Sequence, residues 1–185
     1  MQSIQTVSEN TIYVAQVDRR LAKFENLFPI PRGVSYNAYV ILDEKTALLD
    51  TADASVGAQF LENVAAALDG RKLDYLIVDH MEPDHAAMIE AVLVRWPDLR
   101  LVVNAKTLPM LKMYFPTDSA AIDDALVVKE GDTLDLGKHK LTFVMAPMVH
   151  WPEVMMTFDT TTGTLFSADA FGTFGAWRVP CSLMR

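Results

Sequence analysis

Short apolar runs rich in Val, Ile, Leu and Thr alternate along the chain with clusters of Asp, Gly, Lys and Thr, a pattern of strands joined by tight turns. Residues 11–17 read as a first strand, and residues 36–42 and 46–49 as two more joined at the turn 43–45. Between Val56 and Leu68 the apolar residues Phe60, Leu61, Val64, Ala65 and Leu68 fall at helical spacing, and Gly70 supplies a stop. The apolar run 75–78 predicts a strand. Asp84 is placed to cap a helix running through Ala87, Ile89 and Val92 to Trp96, halted by Pro97. Further strands are predicted at 100–104, 125–129, 133–136, 141–146, 153–158 and 164–167, with a helix at 106–114. Two strand-rich halves carrying helices, without repeated strict βαβ alternation, predict an α/β (α+β) sandwich rather than an open doubly wound sheet.

The strand at 75–78 leads directly into His80-Met-Glu82-Pro-Asp84-His85, four potential metal ligands within six residues. Imidazoles and carboxylates so close together are costly to bury unless a cation offsets their charges. Two later strands deliver His150 and Asp169 at their ends, so three loops on rigid strands would assemble one site. Any one of these residues alone is more often an ordinary loop or capping residue. Their joint spacing after strands is what points to a metal. His139, in a Lys-containing hairpin turn, reads as solvated surface. Met81, Met148, Met155 and Met156 read as pliable packing, because thioether is a soft donor, and Trp151 reads as packing beside His150.

The chain of 185 residues is 51% hydrophobic, enough for one sizeable core, and a single domain spanning 1–185 is expected. A formal net charge of −8 argues against nucleic acid or an anionic membrane as partner. The one cysteine, Cys181, has no internal disulfide partner, and neither a signal segment nor a long apolar span is present, so a reducing cytoplasmic setting is expected.

Segments 28–39 (FPIPRGVSYNAY), 78–88 (VDHMEPDHAAM), 149–153 (VHWPE) and 165–175 (LFSADAFGTFG) resemble those of the metallo-β-lactamase superfamily in the version used by flavodiiron proteins, also called A-type flavoproteins. That resemblance, which runs from the first strands to about Ala176, implies a metallo-β-lactamase-like αββα sandwich. It also implies a non-haem diiron centre reducing dioxygen to water or nitric oxide to nitrous oxide. By position, His80, Glu82 and His150 would hold one iron, Asp84 and His85 the other, and Asp169 would bridge them. The hydrolytic members are similar but have His where this chain has Glu82, and a hard carboxylate there moves preference from zinc toward iron or manganese.

The chain also departs from the family. The pattern requires a further histidine, well downstream of the bridging Asp, as a ligand of the second iron, and none follows Asp169. Residues 176–185 do not resemble the family's continuation, so the second half of the sandwich is expected to be incomplete, in a truncated or frame-shifted product or a natural short paralogue. The flavodoxin-like domain that carries flavin mononucleotide (FMN) in the family is likewise not found. Electrons would then come from a separate flavin- or rubredoxin-type donor protein, and the family's homodimer is expected. The leading expectation is a flavodiiron-type oxidoreductase domain impaired by the lost ligand and flavin. A metal-dependent hydrolase and a non-catalytic remnant are the alternatives. Glu82 separates the first from the second, and metal content separates both from the third.

Overall fold

The computed structural model describes residues 4–115 and 120–176. In chain order its elements are β1 (Gln5–Ser8), β2 (Thr11–Tyr13), β3 (Val17–Asp18), β4 (Lys23–Phe24), β5 (Phe28–Pro29), β6 (Val34–Ser35), β7 (Tyr39–Leu42) and β8 (Thr46–Leu49). A 3-10 turn (Ala54–Val56) leads into α1 (Gly57–Leu68), followed by β9 (Tyr75–Ile77), α2 (Pro83–Ala86), α3 (Ile89–Arg95), β10 (Arg100–Asn104), α4 (Thr107–Tyr114) and α5 (Ala120–Asp123). The remainder is strand: β11 (Leu126–Val128), β12 (Thr133–Asp135), β13 (Lys140–Met145), β14 (Met155–Asp159) and β15 (Thr164–Phe166).

Neighbouring residues in the central strands explain the layering. Val40 and Ile41, Leu48 and Leu49, Leu76 and Ile77, and Leu101 and Val102 are all buried, one of each pair on either face of the sheet. On one face Val40, Leu48, Leu76 and Leu101 meet Phe60, Val64, Leu68, Ile89, Val92 and Leu111 of the helices. On the other, Ile41, Leu49, Ile77 and Val102 meet Leu141, Phe143, Met155 and Phe166 of a second sheet. Among the described residues no helical side chain joins this second cluster, so three layers of the expected four are seen.

The first sheet has seven strands in the order β1-β2-β7-β8-β9-β10-β11, and the second has four, β12-β13-β14-β15, all antiparallel. From β8 to β11 the first sheet is parallel, each strand reached through helix. Strict βαβ alternation is therefore present, contrary to the sequence reading. It is confined to β8–β11, flanked on one side by the antiparallel strands β1, β2 and β7 and followed by an all-antiparallel second sheet, so it does not repeat along the chain.

Other expectations are corrected in detail. The run 11–17 is not one strand: β2 ends at Tyr13, and the chain bends through buried Val14 and Ala15 into β3, which pairs with β6 in a separate ribbon. The helix expected from Asp84 to Trp96 breaks after Ala86. The His85 carbonyl, which a continuous helix would give to Ile89, instead accepts from the Thr51 backbone N–H at 2.7 Å and the Thr51 hydroxyl at 2.6 Å. Met88 at this break packs onto Gly57, where a Cβ would approach its Sδ to 2.4 Å. Asp84 is no cap; Glu82 holds that position. Met81, Met155 and Met156 are buried as expected, but Met148 is 70% exposed at the tip of the turn that carries His150. No described helix is long and apolar enough to cross a membrane. Cys181 and the segment 177–185 lie outside the described residues.

His139 is not solvated surface but buried. The turn between β12 and β13 abuts the turn between β7 and β8: Lys45 N–H donates to the Leu136 carbonyl at 3.0 Å, and His139 N–H to Asp43 Oδ2 at 2.6 Å. The imidazole points inward, with Nδ1 2.8 Å from Asp159 Oδ2. Burial works to raise the Asp159 carboxyl, but hydrogen bonds from Thr162, His139 and the Thr161 backbone outweigh it and hold it below the usual carboxylate range. Replacing the imidazole removes a bond to a charged group and leaves a cavity, so His139→Ala is expected to cost about 2–4 kcal/mol in urea unfolding. The depressed carboxyl contributes stability above the ordinary carboxylate pKa of about 4 and loses it as pH falls below that value. The wild-type advantage over His139→Ala should therefore shrink on acidification; an advantage that grows would contradict the pairing.

Candidate metal centre

Segments that follow strands carry every site residue, four from loops and two from the first helical turn after β9. The loop after β9 brings His80 and Glu82, and α2 follows at once with Asp84 and His85 in its single turn. The turn after β13 supplies His150 and the loop after β15 supplies Asp169. Glu82 is the N-cap residue of α2, but its side chain makes no capping bond and turns toward the histidines.

The six residues form two clusters that share Asp169. In the first, Glu82 Oε2 lies 3.1 Å from His80 Nε2 and 2.8 Å from His150 Nε2, while Asp169 Oδ2 lies 3.2 Å from His150 Nε2 and 3.5 Å from His80 Nε2. In the second, Asp169 Oδ1 lies 2.9 Å from His85 Nε2, which is 3.7 Å from Asp84 Oδ2. Candidate ligand atoms of each cluster all lie within 4.8 Å of one another. The Asp169 carboxylate thus turns one oxygen to each cluster. Asp84 Oδ1 is buried without any hydrogen-bond partner, an arrangement that fits a bound cation and is costly without one. Nitrogen and carboxylate donors without thiolate suit a hard or borderline metal.

Charge is distributed accordingly. Burial works against a charged His80, but hydrogen bonds to Asp169 and Glu153 prevail and push its pKa up to about 10. His85 is raised well above its ordinary value in the same way, burial being overcome by Asp169 and Asp50. Asp169 is held far below the carboxylate range: against its burial stand the hydrogen bonds and charges of His80 and His85. Asp84 is raised to about 6, chiefly by burial.

Two residues outside the six escaped the sequence reading. Asp50, just after β8, places Oδ2 2.9 Å from His85 Nδ1 and accepts from the Asp79 backbone N–H at 2.7 Å. Glu153 places Oε1 2.8 Å from His80 Nδ1 and accepts from the Met81 N–H at 3.0 Å. Asp50 could have been found as a fourth polar residue ending a strand. Glu153, three residues after His150, carries no local signal. Trp151 packs its ring edge-on against His80, centroids 5.3 Å apart, so the packing role holds and falls on the centre itself. A cavity of about 400 Å³ opens over five of the six residues, Glu82, Asp84, His85, His150 and Asp169, and is walled by Phe24, Phe28, Tyr36 and Phe174. Phe174 stacks on Phe24 and Phe28 at 5.1 and 5.9 Å.

Two face-to-face sheets with helices outside one of them, and histidines and carboxylates gathered at strand ends, define a metallo-β-lactamase-like domain. The family model described as ODP family beta lactamase matches residues 34–182, and the chain belongs to that family. Among its relatives, a putative diflavin flavoprotein A 1 of Thermosynechococcus vestitus is 38% identical over 90% of this chain and 28% of its own length. An anaerobic nitric oxide reductase flavorubredoxin of Klebsiella pneumoniae is 37% identical over 90% of this chain and 34% of its own. The solved rubredoxin oxygen:oxidoreductase of Desulfovibrio gigas superposes with a TM-score of 0.89 at 29% identity, covering 98% of this chain and 46% of that one. The chain thus spans about a third of the length of these curated relatives and under half of the solved chain.

The carboxylates around the two imidazoles push His80 up to about 10 and raise His85 in the same direction, so the metal-free chain favours charged imidazoles. Each contributes stability that is complete below the ordinary histidine pKa of about 6.5 and is lost as pH rises through the raised value. A metal can bind these nitrogens only by displacing the protons. Titrating ferrous iron into weakly buffered chain at pH 7.5 should release protons as the site fills, and affinity should climb with pH. Uptake without proton release would show the imidazoles to be neutral.

Proposed function

We propose that the chain is a non-haem diiron oxidoreductase domain of flavodiiron type, reducing dioxygen to water or nitric oxide to nitrous oxide. The observation that carries this reading is the division of Asp169 between two donor clusters, one of which includes the hard carboxylate of Glu82. His80, Glu82 and His150 would hold one iron, Asp84 and His85 the other, and Asp169 both. Bound as a pair, the irons would supply redox chemistry at adjacent centres able to act together on a small diatomic molecule. The cavity over the site is large enough to admit such a molecule. Relatives named as a nitric oxide reductase flavorubredoxin and a rubredoxin oxygen:oxidoreductase support the substrates. They support FMN-bearing or rubredoxin-type proteins as electron donors too. A homodimer in the cytoplasm completes the reading.

Metal content is the first test. Chain produced in iron-replete medium and purified without added metal should carry iron. The His80, Glu82, His150, Asp169 position should fill before its neighbour, because it has four ligands against three. Zinc at full occupancy without iron would favour a hydrolase, and no metal at all a non-catalytic remnant. Asp169→Asn should remove the second metal and weaken the first, since a neutral amide cannot offset the repulsion of two cations as a carboxylate does. Glu82→His should retain metal but lower the iron-to-zinc ratio. Unchanged stoichiometry in the one or unchanged preference in the other would refute the assigned role.

A further inference from the structure

Each of the two buried imidazoles of the centre, His80 and His85, is fixed from behind by a carboxylate that belongs to neither cluster. We propose that Glu153 and Asp50 are positioning residues that divide the centre between them. Glu153 sets the His80, Glu82, His150, Asp169 position, and Asp50 sets the Asp84, His85, Asp169 position. The proposal rests on the reading of these clusters as metal positions.

Glu153 is completely buried, and its Oε1 engages His80 Nδ1 and the Met81 backbone N–H together. With Nδ1 so occupied, only Nε2 of His80 faces Glu82 and Asp169. The same residue also governs His150. Met148, Val149 and His150 lie on the outside of their turn, and no carboxylate contacts Nδ1 of His150 among the described residues. Three residues on, the chain is anchored: the Glu153 carbonyl accepts from Asn104 Nδ2 at 2.6 Å, and its carboxylate grips the His80 loop. One side chain therefore ties two of the four residues at this position to each other.

A structural hydrogen bond alone does not explain a carboxylate at 153. Its Oε2 is buried with no partner. Leaving such an oxygen unpaired is costly, and an amide would serve the Met81 N–H as well. What the amide lacks is the charge that makes an imidazole a stronger donor to a cation. Asp50 has the matching contact with His85; toward the other cluster it reaches only backbone, Oδ1 accepting from the Asp79 N–H at 2.7 Å and the His80 N–H at 3.4 Å, and among the described residues it bonds no side chain of that cluster.

The test uses ferrous iron alone, with affinity measured anaerobically by chelator competition, in two backgrounds that each keep one position. Asp84→Ala preserves the four-residue cluster, and Glu82→Ala with His150→Ala preserves the Asp84, His85, Asp169 cluster. In the first background, Glu153→Gln should weaken binding roughly 10- to 100-fold, and Asp50→Asn should weaken it much less. In the second background the order should reverse. Melting temperatures of the metal-free variants, read by circular dichroism, should stay near that of their parent. Losses of similar size from both variants in both backgrounds would overturn the division of labour. So would a variant that fails to fold with and without iron, since its carboxylate would then belong to the fold. A wild-type chain that binds no iron is a different result, striking the diiron reading itself.

Discussion

His80, His85, Glu82 and Asp84 are almost wholly buried within a few ångströms of one another, and His150 and Asp169 close the group from a more exposed side. Like charges at such distances repel by several kcal/mol even where the local dielectric is generous. Without an ion, the arrangement survives only by alternating sign, with raised imidazoles set around a depressed Asp169. That alternation satisfies Asp169 but leaves Asp84 out, its carboxyl raised to about 6 and one oxygen unpartnered. A cation at each position would resolve both defects at once. The buried carboxylates Asp50 and Glu153 extend the same logic outward, each meeting the back of an imidazole with negative charge.

Strand ends provide the rigidity that such a balance needs. Asp50 follows β8, His80 follows β9 and Asn104 ends β10, three neighbouring parallel strands whose termini are aligned by their pairing. Asn104 both accepts from the Lys106 and Thr107 N–H just ahead of α4 and holds the Glu153 carbonyl. The second sheet enters through β13 and β15, so the site lies at the seam where both layers end. Phe143, Met155 and Phe166, buried between the sheets, fix the spacing across that seam.

The sequence disclosed the parts of this arrangement that are local. All six clustered residues were legible because each stands just after an apolar run with strand character, and the strands themselves were placed within a few residues. What escaped depends on distant partners. The helix break at Ala86 is caused by Thr51, thirty-four residues earlier, claiming the His85 carbonyl. His139 looked solvated because its own neighbours are polar, whereas its burial comes from two turns of different sheets pressed together. Glu153 was hidden for a similar reason: its function lies in a contact with His80, seventy-three residues away.

Pro83 shows how one residue can apportion side chains between two clusters. A residue before proline is driven out of helical conformation, and Glu82 is accordingly extended, at φ −61° and ψ 145°. His80 and Glu82, two residues apart, therefore meet side by side at 3.1 Å and serve the same cluster. Pro83 itself begins a helix without loss, because its missing N–H is one that a first turn leaves unpaired. The rotation of that turn then carries Asp84 and His85 away from Glu82 to the opposite oxygen of Asp169. Alternation before the proline and helical rotation after it thus send four candidate ligands from six residues to two separate places. Asp169, arriving from the other sheet, needs only to span the gap between them.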